Sequence, residues 1–230
     1  MALILGIETS TKNCSVSLLD ADKVLFFKEE SSDQYIHSEK LHVFLEDLFL
    51  SSGKAKSSID AIAVSKGPGS YTGLRIGVSS AKGLCFAFDR PLLSEDSLKI
   101  LAYQGKSAID LEEGDLIISV LDARRMEVYC QIFDHGLNSL SKVEAKIIDE
   151  TSFSDLKANR VHFVGDALEK IEKITLDERF VFHHEIKYPN AKGLVELCGE
   201  KYDAQQFEDV AYFEPWYFKD FIAGKPKKLL

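Results

Sequence analysis

With 230 residues, 45% of them hydrophobic and 28% charged, the chain has the interior and surface of a globular protein with room for one large core or two small ones. No apolar run approaches the ~20 residues that cross a bilayer, and the first residues run into a β-like stretch without a basic leader, so a secreted or membrane protein is not expected. Lys and Arg total 28 against 37 Asp and Glu, and the resulting charge of −9 opposes a polyanion, so the chain by itself is expected to bind RNA poorly.

In chain order, 3–8, 14–20 and 24–29 are short runs rich in β-branched and aromatic residues, separated by turn material, and predict a three-stranded antiparallel meander. A helix is expected over about 37–52, ended by Gly53, and then a short buried strand over 61–64. A glycine-rich loop follows, and the spacing of Ile76, Val78, Leu84, Cys85 and Phe88 predicts a helix that Pro91 stops. Ser94 reads as the N-cap of the next helix, with Glu95 and Asp96 in its first turn, running to about 104. Gly, Ser and acidic residues over 105–114 break both periodicities.

The second half repeats the order, with strands over 116–121, 128–133 and about 143–148, then a short helix, then strands at 161–164 and 180–183 alternating with helices at 168–174 and 191–202. No identity recurs at a fixed period, so the repeat is one of architecture. The expectation is an α/β protein of two lobes, 1–105 and 106–230, each a mixed sheet opening with three antiparallel strands. The tail, about 210–230, carries Pro215, Trp216, Tyr217, Phe218 and Phe221, too aromatic for a loose end, and is expected to return across the first lobe. Lys219, Lys225, Lys227 and Lys228 beyond it read as a solvated terminus, with direct contact to RNA as the competing reading.

The strongest local signal is the segment from Lys66 to Gly77. Three glycines and a proline, Gly67, Pro68, Gly69 and Gly73, fall within seven residues. A Walker loop needs Gly-Lys-Ser/Thr, whereas Gly73 is followed by Leu74 and Arg75, and the spacing of Gly69 and Gly73 is not Gly-x-Gly-x-x-Gly. The motif reads as a tight strand-to-helix turn, with anion binding at the helix N-terminus as the alternative. Four cysteines, Cys14, Cys85, Cys130 and Cys198, are scattered without a Cys-x-x-Cys pair and read as reduced, buried thiols. His37 and His42 diverge by roughly 140° on a helix. His183 and His184 are adjacent and point to opposite faces of a strand. With the other histidines isolated, no metal site is expected.

The helix over 37–50 carries Leu41, Val43, Phe44, Leu45, Leu48, Phe49 and Leu50, more apolar positions than one core-facing stripe requires. The helix after the loop adds the small residues Gly77, Ser79, Ser80, Ala81 and Gly83. Together they suggest a partner interface built from Leu41, Phe44, Leu45, Leu48, Phe49, Ile76 and Ser80.

Ile7-Glu8-Thr9-Ser10, the loop with its Gly67, Gly69, Tyr71, Thr72, Gly73 and Arg75, Leu121-Asp122-Ala123-Arg124, Glu127-Val128-Tyr129 and Glu214-Pro215-x-Tyr217 span nearly the whole chain. In this order and spacing they resemble the TsaB (YeaZ) family, within the actin, Hsp70 and sugar kinase superfamily. The resemblance implies two duplicated actin-like ATPase, ribonuclease H-like lobes. It further implies a cytoplasmic, non-catalytic subunit in forming threonylcarbamoyladenosine next to the anticodon of tRNAs reading codons that begin with A. Its partners would be a TsaD-like catalytic subunit and a TsaE-like ATPase, with homodimers when alone and tRNA reached mainly through the complex.

Relatives in the wider fold hold nucleotide between the lobes, and Glu8, Thr9, Ser10, Asp122 and Gly165 occupy the comparable positions here. The adenosine-contacting glycine pair survives only as Val164-Gly165-Asp166-Ala167, and the His-x-x-x-His metal pair of TsaD-like proteins is missing. No cofactor is therefore expected to be required, with ATP or ADP and Mg binding weakly, if at all, at the cleft or a subunit interface. The alternative is an enzyme in its own right, an ATP-dependent transferase or a peptidase acting on its partner. No nucleophile and base can be paired from local spacing.

Overall fold

The computed structural model describes residues 2–33 and 36–218. The first half forms β1 (Leu3–Glu8), β2 (Asn13–Asp20), β3 (Lys23–Ser31), α1 (His37–Ser52), β4 (Ala61–Gly67), α2 (Tyr71–Phe88), β5 (Leu92–Asp96) and α3 (Ser97–Ala108). The second forms β6 (Leu116–Asp122), β7 (Glu127–Asp134), β8 (Glu144–Ile147), β9 (Val161–Gly165), α4 (Leu168–Glu172), β10 (Phe180–His183) and α5 (Ala191–Asp203).

The first sheet runs β3-β2-β1-β4-β5 and the second β8-β7-β6-β9-β10. In each, the opening three strands pair antiparallel and the later two add in parallel. The expected repeat is thus a duplication of topology. Both central strands, β1 and β6, are buried on both faces, which is why they read as unbroken apolar runs rather than as alternations.

One expectation fails at Ser94. It is not a helix cap: Leu92–Asp96 is a strand, paired in parallel with β4 through Ile62↔Leu92 and Val64↔Ser94, and α3 starts at Ser97. The local cap signature is overridden by a ladder to residues thirty positions away, and Ser94 Oγ donates instead to Glu208.

A second expectation fails on α1. Leu41, Phe44, Leu45 and Leu48 are buried in the chain's own first-lobe core, packed among Leu5, Ile7, Val16, Ile62 and Val64, and present no surface to a partner. Phe49 is half-buried, its ring meeting Phe88 edge to face at 6.3 Å. The surplus apolar positions of α1 are Val43 and Leu50, 49% and 75% exposed.

The lobes are laced together. Helix α5, reached from the second sheet, packs Leu194, Val195 and Cys198 against Ile4, Ala61, Ala63 and Leu93 of the first. Helix α3, reached from the first sheet, packs Leu98, Leu101 and Ala102 against Ile117, Leu121 and Val164 of the second. Beyond α5 the chain returns to the first lobe. Glu208 N donates to Leu92 O, Lys82 Nζ donates to the carbonyls of Ala211 and Phe213, and Trp216 N donates to Lys66 O at 2.7 Å. Phe218 then meets Tyr129 of the second lobe at 5.6 Å between ring centres. Lys219, Phe221, Lys225, Lys227 and Lys228 lie outside the described residues.

The division of α1 into a buried stripe and an exposed surplus is testable by denaturation. Leu48→Ala should cost about 2–5 kcal/mol in urea unfolding, whereas Val43→Ala should stay within about 0.5 kcal/mol of the native chain.

Candidate functional site

The turn from β4 into α2 is built by close approach. Ser70 caps α2, its Oγ accepting from Gly73 N at 3.2 Å. Ser70 N donates to Ser10 O at 2.6 Å, and Thr9 Oγ1 donates to Gly73 O at 2.8 Å. Gly73 and Gly77, four residues apart, lie along one edge of α2, and Gly69 immediately precedes its cap. A Cβ added to Gly69, Gly73 and Gly77 would fall on Ser10 O, Thr9 O and Thr9 Oγ1 respectively. The space beside the glycines is filled by the chain's own β1–β2 turn. Gly67 has a different reason: its φ of +106° excludes side chains, and Trp216 O lies 2.9 Å from where a Cβ would sit.

The loop's remaining side chains face the tail. Tyr71 stacks at a tilt on Tyr217, 4.6 Å between ring centres, and the Arg75 guanidinium lies 4.8 Å from the centre of the Tyr71 ring. Thr72 and Arg75 are exposed.

Glu8 and Asp122 end the equivalent strands β1 and β6, but their surroundings differ. Glu8 is fully buried, with Oε1 accepting from Ser10 N at 2.6 Å. Burial pushes its carboxyl up, against opposing hydrogen bonds from Ser10 and Ser65. Thr9 and Ser10 are buried as well and committed to the helix contact. Asp122 is exposed, and its Oδ1 accepts from Lys170 Nζ at 2.8 Å and from Arg124 N at 2.5 Å. The Lys170 ammonium supplies the positive charge that a metal would bring, while Glu8 is closed off from solvent, so the two carboxylates do not fit a shared magnesium–phosphate group.

Gly165, at φ +130°, packs where a Cβ would fall on Val120 O, and its N–H donates to Ile186 O at 2.8 Å. Its neighbour Asp166 accepts Asp122 N at 2.8 Å, and burial raises the Asp166 carboxyl to about 6. A cavity of about 550 Å³ opens between the lobes, lined by Lys12, Asn13, Glu29, Gln104, Lys187 and Tyr188. Glu8, Thr9, Ser10, Asp122, Gly165 and the glycine-rich loop are not among its lining residues.

Among the described residues no three His, Cys, Asp or Glu side chains are grouped to hold a metal. All four cysteines are buried, and burial raises each thiol to about 12, which leaves them inert as nucleophiles. Sequence spacing missed one cluster: the β9–β10 pairing sets His162 Nδ1 2.9 Å from His183 Nε2. No local motif announces it, because the two residues lie 21 positions apart.

Residues 31–223 match the TsaD family, tRNA N6-adenosine threonylcarbamoyltransferase. The chain belongs to this family. Its end-to-end relatives are the TsaB (YeaZ) members. The Haemophilus influenzae tRNA threonylcarbamoyladenosine biosynthesis protein TsaB is 26% identical over 96% of this chain and 95% of its own. The Escherichia coli TsaB is 25% identical over 96% of each. By contrast, the Bacillus subtilis tRNA N6-adenosine threonylcarbamoyltransferase is 30% identical over 58% of this chain and only 42% of its own. The solved structure of YeaZ from Pseudomonas aeruginosa superposes with a TM-score of 0.80 at 25% identity, covering 94% of this chain and all of that one. A second structure, of an uncharacterised protein with similarity to peptidase YeaZ from Pseudomonas aeruginosa, gives 0.82 at 25% identity, covering 95% and 100%. No helix among the described residues is long and apolar enough to cross a membrane.

Two measurements check this geometry. Gly73→Ala should destabilise the TsaB-type fold by roughly 1–3 kcal/mol through overpacking on Thr9, whereas Gly83→Ala, which faces open space on the same helix, should stabilise it by up to about 1 kcal/mol. Asp166 binds its proton more tightly in the folded chain than its ordinary value of 3.8, so stability should fall as pH rises from about 4 through about 6. Asp166→Asn should remove that slope and raise stability at pH 7 by on the order of 1–3 kcal/mol, with little difference below about pH 4.

Proposed function

We propose that this chain is a non-catalytic partner subunit in the formation of threonylcarbamoyladenosine next to the anticodon of tRNAs reading codons that begin with A. It works by docking its first lobe on a TsaD-type catalytic subunit. The observation that carries this reading is the solvent face of α2. Thr72, Arg75, Ser79, Gly83 and Phe86 are exposed along one stripe, and the Phe86 ring is 88% exposed one turn from Gly83. Ile76 and Ser80 are half-buried at its border. A large ring beside small residues at helical spacing gives another helix both a knob to receive and a groove to fill.

Helix α1 runs beside α2 in the same direction, with His37 near Gly73 at one end and Phe49 on Phe88 at the other, and contributes its exposed Val43 and Leu50. The interface therefore draws on the outward side of both helices rather than on Leu41, Phe44, Leu45 and Leu48.

The non-catalytic part of the reading is supported by the cleft. The glycines that would expose backbone amides to phosphate are packed on Thr9 and Ser10, Glu8 is closed off, and Asp122 is paired with Lys170. Nucleotide is not required for this role. A TsaE-like ATPase joins the complex, tRNA is met mainly through it, and the assembly is cytoplasmic. Without its partner the chain self-associates through the same face.

Phe86→Asp is the decisive substitution, because a side chain this exposed can be changed without touching the core. Affinity for the TsaD-type subunit should fall at least about tenfold, the scale of a lost aromatic anchor, with the melting temperature unchanged and tRNA modification lost in a depleted strain. Unchanged co-purification with that subunit would remove the interface, and retained modification would remove the function.

A further inference from the structure

The head-to-head histidines of the second lobe form a chain that two neutral imidazoles cannot complete. His162 and His183 are diagonal neighbours on one face of the parallel β9–β10 pair, with side chains only 4% and 16% exposed. Their ring centres are 5.2 Å apart with planes 25° from parallel, the separation that two rings meeting nitrogen to nitrogen give. The contact is thus edge to edge rather than face to face.

Each outer nitrogen meets a carboxylate. His162 Nε2 lies 3.4 Å from Asp115 Oδ2, and His183 Nδ1 lies 3.2 Å from Glu185 Oε1. Burial works to raise Asp115, but hydrogen bonds from the Glu112 amide, Arg160 and His162 hold its carboxyl below the ordinary value. Glu185 is held low by its own amide and by His183. Both are therefore ionised acceptors, and each outer ring nitrogen must carry a hydrogen. If both rings were neutral, His162 Nδ1 and His183 Nε2 would confront each other at 2.9 Å with two bare lone pairs. One further proton is needed. A metal ion does not fit, because ligand nitrogens at about 2.0–2.1 Å on either side would need a wider gap along this line.

The charged groups around the pair are otherwise engaged. Burial lowers His162, His183 and Arg160 add to the effect, and Asp115 opposes it, so His162 resists the charge. His184 is turned to Glu172 at 3.0 Å, and Arg160 also pairs with Glu112. On the overlying α3, Lys99 pairs with Glu95 and Lys106 donates to Gly136 O, while Tyr103 interacts with Glu196. Just before β10, Arg179 is committed to Asp177.

We propose that His162 and His183 bind one proton between them as an imidazole–imidazolium pair, and that this proton fastens the segment by which the chain crosses between lobes. That segment, 184–190, leaves β10 at His183 and delivers α5 to the first sheet. Ile186 N donates to His183 O, Ile186 O accepts Gly165 N, and Gln104 on α3 bonds both Tyr188 O and Asn190 N. Lys187, Tyr188 and Asn190 also line the cavity between the lobes. Losing the proton leaves the two lone pairs opposed at the root of that segment and loosens the cavity wall.

Nitrogen-15 NMR of the histidine rings in the full chain, from about pH 5 to about pH 9, tests this. The pair should take up one proton in a single step as pH falls, with the other ring remaining neutral. Glu185→Gln, on a side chain 69% exposed, should move the step to lower pH by roughly 0.2–0.7 unit without altering the fold. Exchange protection of the Gly165 and Ile186 amides, relative to Val64 in the first sheet, should fall severalfold above the step. A pair that stays neutral or takes up two protons across this range, an unshifted step in Glu185→Gln, or protection that ignores the step would each overturn the proposal.

Discussion

The contact on which the rest of this molecule depends is that of α2 with the turn between β1 and β2. Thr9 and Ser10 occupy the places where side chains at 69, 73 and 77 would stand, and two hydrogen bonds lock the approach. Because glycine exposes its backbone to close packing, α2 settles onto the end of the central strand and its opposite stripe is turned outward. The loop also seats the returning tail, through Trp216 on Lys66 and Tyr217 on Tyr71. A loop composition that in other folds cradles phosphate here positions a helix.

The same arrangement leaves the equivalent ends of the two central strands in different surroundings. The carboxylates at the ends of β1 and β6 keep their places in the topology but have been given other partners: a closed, desolvated niche for Glu8 and the Lys170 ammonium for Asp122. A buried carboxylate without a cation is driven toward its neutral form and loses the charge with which it would hold a metal. An exposed one already paired gains less from an incoming ion.

The two lobes are not independent folding units joined by a linker. Helices α3 and α5 each begin from one sheet and pack on the other, so any shift between the lobes must repack Leu98 and Leu101 or Leu194 and Val195. The segment 184–190 makes the second of these crossings, and the histidine chain lies at its root. Coupling a buried polar chain to a crossing of this kind concentrates the conformational response in a few residues.

Much of this was written locally. Runs such as Leu3–Glu8 and Leu116–Asp122 declared central strands, the order of elements declared the duplication, and the glycine-rich segment with its companion tetrapeptides declared the family, because short-range periodicity and turn chemistry are properties of neighbouring residues. Tertiary structure decided what depends on partners far along the chain. Ser94 became a strand residue through pairing with Val64, Leu45 and Leu48 sank into the core while Phe86 stayed outside, and His162 met His183. An amphipathic helix shows in its sequence that it has an apolar side, but which part of that side is covered depends on the sheet it lands on, and only the folded chain supplies that surface.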